Sequence, residues 1–103
     1  MRGYLLAAAI CAAGPGWAEE VKITMAGAAY APEMISAKVG DSIRFINDDG
    51  ADHNVFVPTA AFAADLGKQE PGDEAIFVLR KAGRFEVECV FHDFMITTVE
   101  VQE

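Results

Sequence analysis

Apolar and polar residues alternate along several short stretches of the chain, which is the pattern of β-strands with one buried face. Within 42–47, for example, Ile43 and Phe45 fall on one face, and Ser42 and Arg44 fall on the other. Clusters of glycine, proline, aspartate and asparagine separate these stretches and favour turns. Seven strands are predicted in this way, at 21–25, 34–39, 42–47, 53–57, 75–79, 85–89 and 96–101. Short strands of this kind indicate an all-β sandwich or small barrel.

The segment 59–72 interrupts this alternation. Residues 60–66 are rich in alanine and predict a helical turn, whereas the sequence Glu-Pro-Gly-Asp at 70–73 predicts a reverse turn. No stretch shows the 3.6-residue apolar period of a long amphipathic helix. The domain is therefore expected to contain almost no helix.

The first residues have the layout of a secretory signal peptide. Arg2 precedes an apolar run at 4–13, and the sequence Gly-Trp-Ala then supplies the small residues that precede a cleavage site. The apolar run is too short to cross a membrane. The sequence therefore predicts a cleaved signal peptide at 1–18 and one domain at 19–103 that is exported to the periplasm.

The chain is acidic, with 8 Lys+Arg against 16 Asp+Glu and a formal net charge of −8. Nucleic acids and anionic membrane surfaces repel such a charge, so neither is an expected partner. Loss of 1–18 also removes Cys11, and the exported domain then holds Cys89 alone and forms no internal disulfide. A single thiol in an oxidising compartment is expected to be buried or bound to a metal.

One short segment near the end of the chain places Cys89, His92 and Met95 at equal spacing. The chain has one other histidine, His53, at the start of a predicted strand. An antiparallel sandwich can bring such strand ends together at one pole. A thiolate, two imidazoles and a weak thioether form a donor set that suits both oxidation states of copper. The four residues therefore predict one bound copper ion that alternates between Cu(II) and Cu(I).

Each alternative role accounts for fewer of these four residues than a copper site does. Zinc has little use for a thioether, and a thiol nucleophile needs a base and a group that orients the base. A cysteine on a strand is commonly a small buried hydrophobe, and a binding or adhesion sandwich without a metal has the same strand pattern. The conjunction of four donors, export and short strands favours copper, and it favours an electron carrier over an enzyme.

Three stretches resemble the cupredoxins, the type 1 blue copper proteins, and among them the amicyanin and pseudoazurin group. They are VGDSIRFIN at 39–47, HNV at 53–55 and AGRFEVECVFHDFM at 82–95. The resemblance implies an eight-stranded Greek-key β-sandwich and a monomeric protein. It also implies a function in shuttling single electrons between a periplasmic dehydrogenase and a cytochrome c.

The resemblance further implies a role for each candidate residue. Carried over by position, His53, Cys89 and His92 are the equatorial copper ligands, and Met95 is the axial ligand. Asn54 ties the two ligand loops together and donates a hydrogen bond toward the Cys89 sulfur, a kind of contact that tunes a metal site.

Two features depart from the amicyanin pattern. Phe91 and Asp93 stand where amicyanins have prolines on either side of the loop histidine, and the loop at 58–74 is shorter. An amine dehydrogenase is therefore one possible electron donor, and pseudoazurin-like or plastocyanin-like partners are others. A periplasmic copper carrier or copper-buffering protein of the same fold is the alternative function.

The residues around the two histidines predict a surface for redox partners. Four carboxylates are expected to form an acidic rim that steers basic partners: Asp48, Asp49, Asp52 and Asp93. Ordinary solvated loops are the alternative for these four residues. Three apolar residues are expected to form a collar around the outer edge of His92: Phe91, Phe94 and Pro58.

Overall fold

The computed structural model describes residues 18–103. Nearly all of the predicted signal peptide, 1–18, lies outside the described residues, so its removal stays a prediction. Nine strands are present: β1 (Glu20–Ala26), β2 (Ala29–Ala31), β3 (Met34–Lys38), β4 (Ser42–Asn47), β5 (His53–Val57), β6 (Ala64–Gln69), β7 (Glu74–Val78), β8 (Gly83–Glu88) and β9 (Ile96–Gln102). A short 3-10 turn, Ala60–Phe62, lies between β5 and β6. Nowhere in 18–103 is a helix long and apolar enough to span a membrane.

The strands form two mixed sheets. One sheet has the order β2-β1-β4-β7, and the other has the order β3-β9-β8-β5-β6. β1 pairs in parallel with β4, and β3 pairs in parallel with β9, whereas the remaining pairs are antiparallel. The predicted all-β class with a Greek-key sandwich is confirmed.

Alternating side chains of the central strands form the core. On β4, buried Ile43 and Phe45 alternate with the half-exposed Arg44. Phe85 and Val87 on β8 belong to the same buried apolar cluster. Each such side chain stabilises the fold by about 1.5–3 kcal/mol when it leaves water, so the period-2 pattern of the sequence is sufficient to orient these strands.

All seven predicted strands are present, with ends that differ by a residue or two. The structure adds β2 and β6, which gives nine strands instead of the seven or eight expected. β2 has only three residues, of which Tyr30 alone is buried, and three residues are too few to show an alternation. β6 has an irregular burial pattern, because half-buried Leu66 and Gly67 follow one another, and it is bonded to β5 alone.

The helical turn predicted at 60–66 is wrong over its second half. The 3-10 turn ends at Phe62, and β6 begins at Ala64, which lies opposite Val57 of β5. Backbone pairing with β5 therefore outweighs the local helix preference of the alanines. The reverse turn predicted at 70–73 is present, with the Asp73 N–H donated to the Glu70 carbonyl oxygen at 2.8 Å.

The order of the second sheet brings together the parts of the chain that carry the candidate ligands. β5 and β8 are antiparallel neighbours, with Phe56 opposite Glu88. The start of β5 therefore lies beside the residues that follow β8. β8 and β9 are also neighbours, with Glu88 opposite Ile96, so the segment 89–95 is the loop that joins them. Both candidate ligand segments thus lie at one pole of the sandwich.

Gly83, the first residue of β8, lies at the pole opposite the candidate ligands and allows a test of the packing there. Its φ is +144°, and a Cβ at this position lies 3.0 Å from the Phe62 ring, which in turn stacks on Phe85 at 4.6 Å between ring centroids. Gly83→Ala is expected to lower the free energy of unfolding by about 1–3 kcal/mol. Gly50→Ala is the control because nothing lies within 4 Å of a Cβ there. Urea unfolding that shows equal stabilities for both variants would contradict the strain at Gly83.

Candidate metal centre

His53 is the first residue of β5 and is fully buried, with 0% of its surface exposed. Its Nε2 lies 2.8 Å from Oδ2 of Asp49. A carboxylate only accepts hydrogen bonds, so the Nε2 proton is donated to Asp49 and Nδ1 keeps a free lone pair. The opposite side of the ring therefore presents a nitrogen that is ready to bind a metal.

Cys89 follows β8 and begins the loop at 89–95. The Cys89 N–H donates to the Met95 carbonyl oxygen at 3.1 Å, and the His92 N–H donates to the Cys89 carbonyl oxygen at 3.4 Å. These two bonds fold the loop back on itself. The Cys89 side chain is a buried free thiol, whereas the side chain of His92 is half-buried.

Three donor atoms meet where the two segments converge. The His53 and His92 Nδ1 atoms are 3.3 Å apart, and the Cys89 Sγ lies 3.9 Å from the first and 3.6 Å from the second. The point equidistant from these atoms is about 2.1 Å from each, within the usual range of about 2.0–2.3 Å for metal bonds to imidazole and thiolate. Two imidazoles and one thiolate form the trigonal set of type 1 copper, so the donors fit a copper ion.

Met95 is also placed at this pole. It directly precedes β9, its carbonyl oxygen closes the ligand loop, and its side chain is 1% exposed. The side chain is therefore available inside the fold as a weak thioether donor. Its role as axial ligand stays a prediction, as do the ligand roles of His53, Cys89 and His92.

Asn54 joins the two ligand segments. Its backbone N–H donates to Cys89 Sγ at 3.4 Å, and its side-chain Oδ1 accepts the Val90 N–H at 2.7 Å. Its carbonyl oxygen accepts the Tyr30 hydroxyl at 2.6 Å. Burial raises the pKa of Tyr30 well above its ordinary value, and the nearby Cys89 adds to the effect, so this hydroxyl remains a donor. The contact predicted between Asn54 and the sulfur comes from the backbone of Asn54 rather than its side chain.

Asp49 is predicted from the sequence to belong to an acidic docking rim. In the structure its side chain instead forms a hydrogen bond with His53. Asp49 Oδ2 also accepts the Ala28 N–H at 3.2 Å, and Oδ1 accepts the Gly50 N–H at 2.7 Å. The hydrogen bond from His53, followed by these two N–H groups, lowers the pKa of Asp49 to about 2. Asp49 therefore fixes the tautomer and the orientation of His53. A carboxylate four residues before a metal-binding histidine is the sequence signal that would have identified it.

The expected collar of apolar residues around His92 is corrected at Pro58. Pro58 follows the last residue of β5, whereas His53 is its first residue. Five residues of extended chain span about 16 Å, so Pro58 lies away from the metal pole and cannot form part of a collar there. Phe91 and Phe94 do lie on the ligand loop, with 52% and 95% of their surfaces exposed.

Asp49 and its neighbour Asp48 form a matched pair for a test of the histidine contact. Asp49→Asn keeps an oxygen that can accept the His53 N–H but removes a negative charge. A negative charge stabilises Cu(II) more than Cu(I), so its removal disfavours Cu(II). In the copper-loaded protein, the reduction potential is expected to rise by on the order of 50–100 mV. Asp48→Asn removes the same charge from an exposed side chain and is expected to change the potential much less. Equal shifts in voltammetry would show that Asp49 acts only as a distant surface charge.

Comparisons with known proteins agree with this geometry. Methylamine utilization protein MauL of Methylorubrum extorquens is 30% identical over 79 residues, which covers 76% of this chain and 69% of that protein. A Cu(I) form of an amicyanin variant matches with a TM-score of 0.76 and 22% identity, over 81% of this chain and 82% of that one. A purple cupredoxin from Nitrosopumilus maritimus matches with a TM-score of 0.71 and 22% identity, over 80% of this chain and 99% of that one.

The sequence model of a family described as copper binding proteins, plastocyanin/azurin family, matches residues 17–102. The match contains all three donors of the candidate copper site, which come from two separate segments of the chain. Because it spans most of the sequence and the fold agrees, this chain belongs to the plastocyanin/azurin family of copper proteins, the cupredoxins.

Proposed function

We propose that this chain is a periplasmic one-electron carrier that accepts electrons from a dehydrogenase or another donor and passes them to a cytochrome c. The observation that carries the proposal is the donor triangle of His53, Cys89 and His92, buried on the sulfur side and open at one histidine edge. When bound, copper supplies a Cu(II)/Cu(I) couple. The chain supplies fixed donors and a route to the surface, which are the requirements of a carrier rather than of an enzyme.

The donors are held in place by contacts within the chain. His53 is fixed by Asp49, Cys89 is fixed by the Asn54 N–H, and the loop is closed by the Met95 carbonyl oxygen. Donors fixed in this way move little when the charge at the site changes, and a small reorganisation favours rapid electron transfer. The burial of His53 and Cys89 also supports a carrier over an enzyme, because it leaves little room for a substrate at these donors.

His92 is the proposed exit for the electron. Of the three donor residues, His53 is 0% and Cys89 is 4% exposed, whereas His92 is only half-buried. Exposed apolar side chains on its own loop surround its position: Val90, Phe91 and Phe94. An apolar surface around the exit lets a partner approach closely without stripping water from charged groups.

The first test of this function is copper binding by the chain 19–103. One equivalent of Cu(II) is expected to give intense visible absorption from charge transfer between the Cys89 thiolate and copper. Cys89→Ala should abolish the colour, because the chain then has no thiolate. Met95→Leu should keep the colour and raise the reduction potential, because loss of a weak donor destabilises Cu(II) more than Cu(I). A colourless Cu(II) complex, or an intensely coloured Cys89→Ala variant, would exclude a type 1 site.

A copper carrier or copper-buffering protein of the same fold remains the alternative function. A carrier must release its metal, whereas an electron shuttle must retain it in both oxidation states. The complete burial of His53 and the near-complete burial of Cys89 and Met95 support retention. Rapid loss of copper to a chelator from the reduced protein would favour the carrier function.

The proposed partners follow from the surface and from the relatives. The relative MauL is a methylamine utilization protein, which supports an amine dehydrogenase as donor. Asp48 and Asp93 are exposed near the metal pole, while Asp52 lies 3.9 Å from Lys68 in an exposed and therefore weak ion pair. These carboxylates support steering toward a basic acceptor such as a cytochrome c through a small, transient interface. Export to the periplasm after removal of 1–18, and a monomeric state, are part of the same proposal.

Phe94 offers the sharpest test of partner docking. Its φ of +66° is unfavourable for an aromatic residue, and its ring is 95% exposed, so it contributes little to the stability of the fold. Phe94→Gly relieves the backbone strain and is expected to leave the free energy of unfolding unchanged or higher. The rate of electron transfer to a basic cytochrome c should nevertheless fall several-fold, because the apolar contact is lost.

Ile76→Ala is the matched control for Phe94. Ile76 is 44% exposed on β7, in the sheet that does not carry the ligands, and its loss should not change the rate. The rate in the unchanged protein is also expected to fall as salt is added. A Phe94→Gly variant that transfers electrons at the full rate would exclude Phe94 from the docking surface.

A further inference from the structure

Asp41 is a buried carboxylate at the pole opposite the copper site. It is 3% exposed and precedes β4. Its Oδ1 accepts the Glu19 N–H and its Oδ2 accepts the Lys38 N–H, both at 2.9 Å. Burial by itself raises the pKa of Asp41, but these two N–H groups and the charge of Lys38 outweigh it and leave the pKa below its ordinary value. The side chain is therefore a carboxylate at neutral pH.

The backbone nitrogen of Glu19 is held against this carboxylate by the sheet itself. The Glu19 carbonyl oxygen accepts the Ser42 N–H at 3.0 Å, and Glu20 lies opposite Ser42 where β1 begins. The Asp41 N–H and carbonyl oxygen are bonded to Lys38 and Leu79. The backbones of both residues are thus fixed by hydrogen bonds, and the Asp41 side chain is itself held by the Lys38 N–H.

We propose that Asp41 is the docking site for the new amino terminus that forms when the predicted signal peptide 1–18 is removed. Hydrolysis of the peptide bond between Ala18 and Glu19 by a signal peptidase consumes one water molecule. Ala18 keeps the new carboxylate and leaves with the signal peptide. Glu19 keeps the new amine, which is mostly protonated at neutral pH. The neutral N–H that faces Asp41 in the precursor becomes an ammonium group in the mature chain.

The conversion strengthens an existing contact. The contact in the precursor is already charge-assisted, because its acceptor is a carboxylate. The ammonium group adds the attraction between two opposite charges at this distance. A surface cleft borders the site, lined in part by Val21, Ser36 and Gln102. The remaining ammonium hydrogens can therefore reach water. Lys38 and the side chain of Glu19 are the other charged groups that line this cleft.

This contact explains why a carboxylate is buried far from the metal. In the precursor, two neutral N–H groups and the charge of Lys38 stabilise the Asp41 carboxylate. In the mature chain it gains a full positive charge at 2.9 Å without movement of the backbone. Removal of the signal peptide therefore stabilises the domain that it leaves behind.

The experiment compares two chains, one that begins at Glu19 and one that begins at Ala18. Their unfolding equilibrium constants are measured in urea without copper, each with a free and with an acetylated amino terminus. Acetylation of the chain that begins at Glu19 removes the positive charge but keeps an N–H, and it should raise the unfolding constant roughly tenfold. Acetylation of the chain that begins at Ala18 is the matched control and should have little effect. Equal effects in both chains would overturn the proposal.

A double-mutant cycle with Asp41 identifies the partner of the ammonium group. In Asp41→Asn, the chains that begin at Glu19 and at Ala18 should have the same stability, whereas in the unchanged sequence the former should be more stable. Asp48→Asn, at an exposed carboxylate, should preserve the difference. N-terminal sequencing of the exported protein is expected to begin at Glu19. A different first residue, or a difference that persists in Asp41→Asn, would overturn the assignment.

Discussion

The copper site depends on one buried residue, Asn54, which holds two distant parts of the chain together. Its backbone N–H reaches the sulfur of Cys89, and its side chain accepts the N–H of Val90. A single residue therefore sets the distance between the strand that begins at His53 and the loop that follows β8. The bond to the sulfur is buried, and the bond from Val90 is partly buried. Loss of either bond leaves polar groups without a partner and therefore lowers the free energy of unfolding.

The two histidines differ in their exposure, so the donor set is more accessible on the side of His92 than on the side of His53. His53 is sealed inside and held through its far nitrogen by Asp49, whose own oxygens are held by Ala28 and Gly50. His92 lies on a loop whose apolar side chains face water. The inner histidine thus keeps the geometry of the donors, and the outer histidine is the one that the fold leaves accessible.

The sequence predicted the parts of the structure that repeat a simple pattern or carry distinctive chemistry. Strands such as β4 alternate because one face is buried, and thiol, imidazole and thioether groups stand out by their donor chemistry. β6 is not recognisable from the sequence because its residues do not keep a period of two: half-buried Leu66 is followed by half-buried Gly67. The role of Asp49 was also missed, because an aspartate in a polar loop resembles its solvated neighbours until its distance to His53 is known.

The burial of Cys89 has a consequence for the time before the fold is complete. Its thiol is shielded only when β8 lies between β5 and β9, and β9 also pairs in parallel with β3, some sixty residues earlier in the chain. Pairing of such distant segments is slow compared with local turns and hairpins. Until these strands pair, the Cys89 thiol is accessible to any oxidant in the surrounding medium. During that period the speed of folding decides whether the sulfur is preserved as a ligand or lost to oxidation.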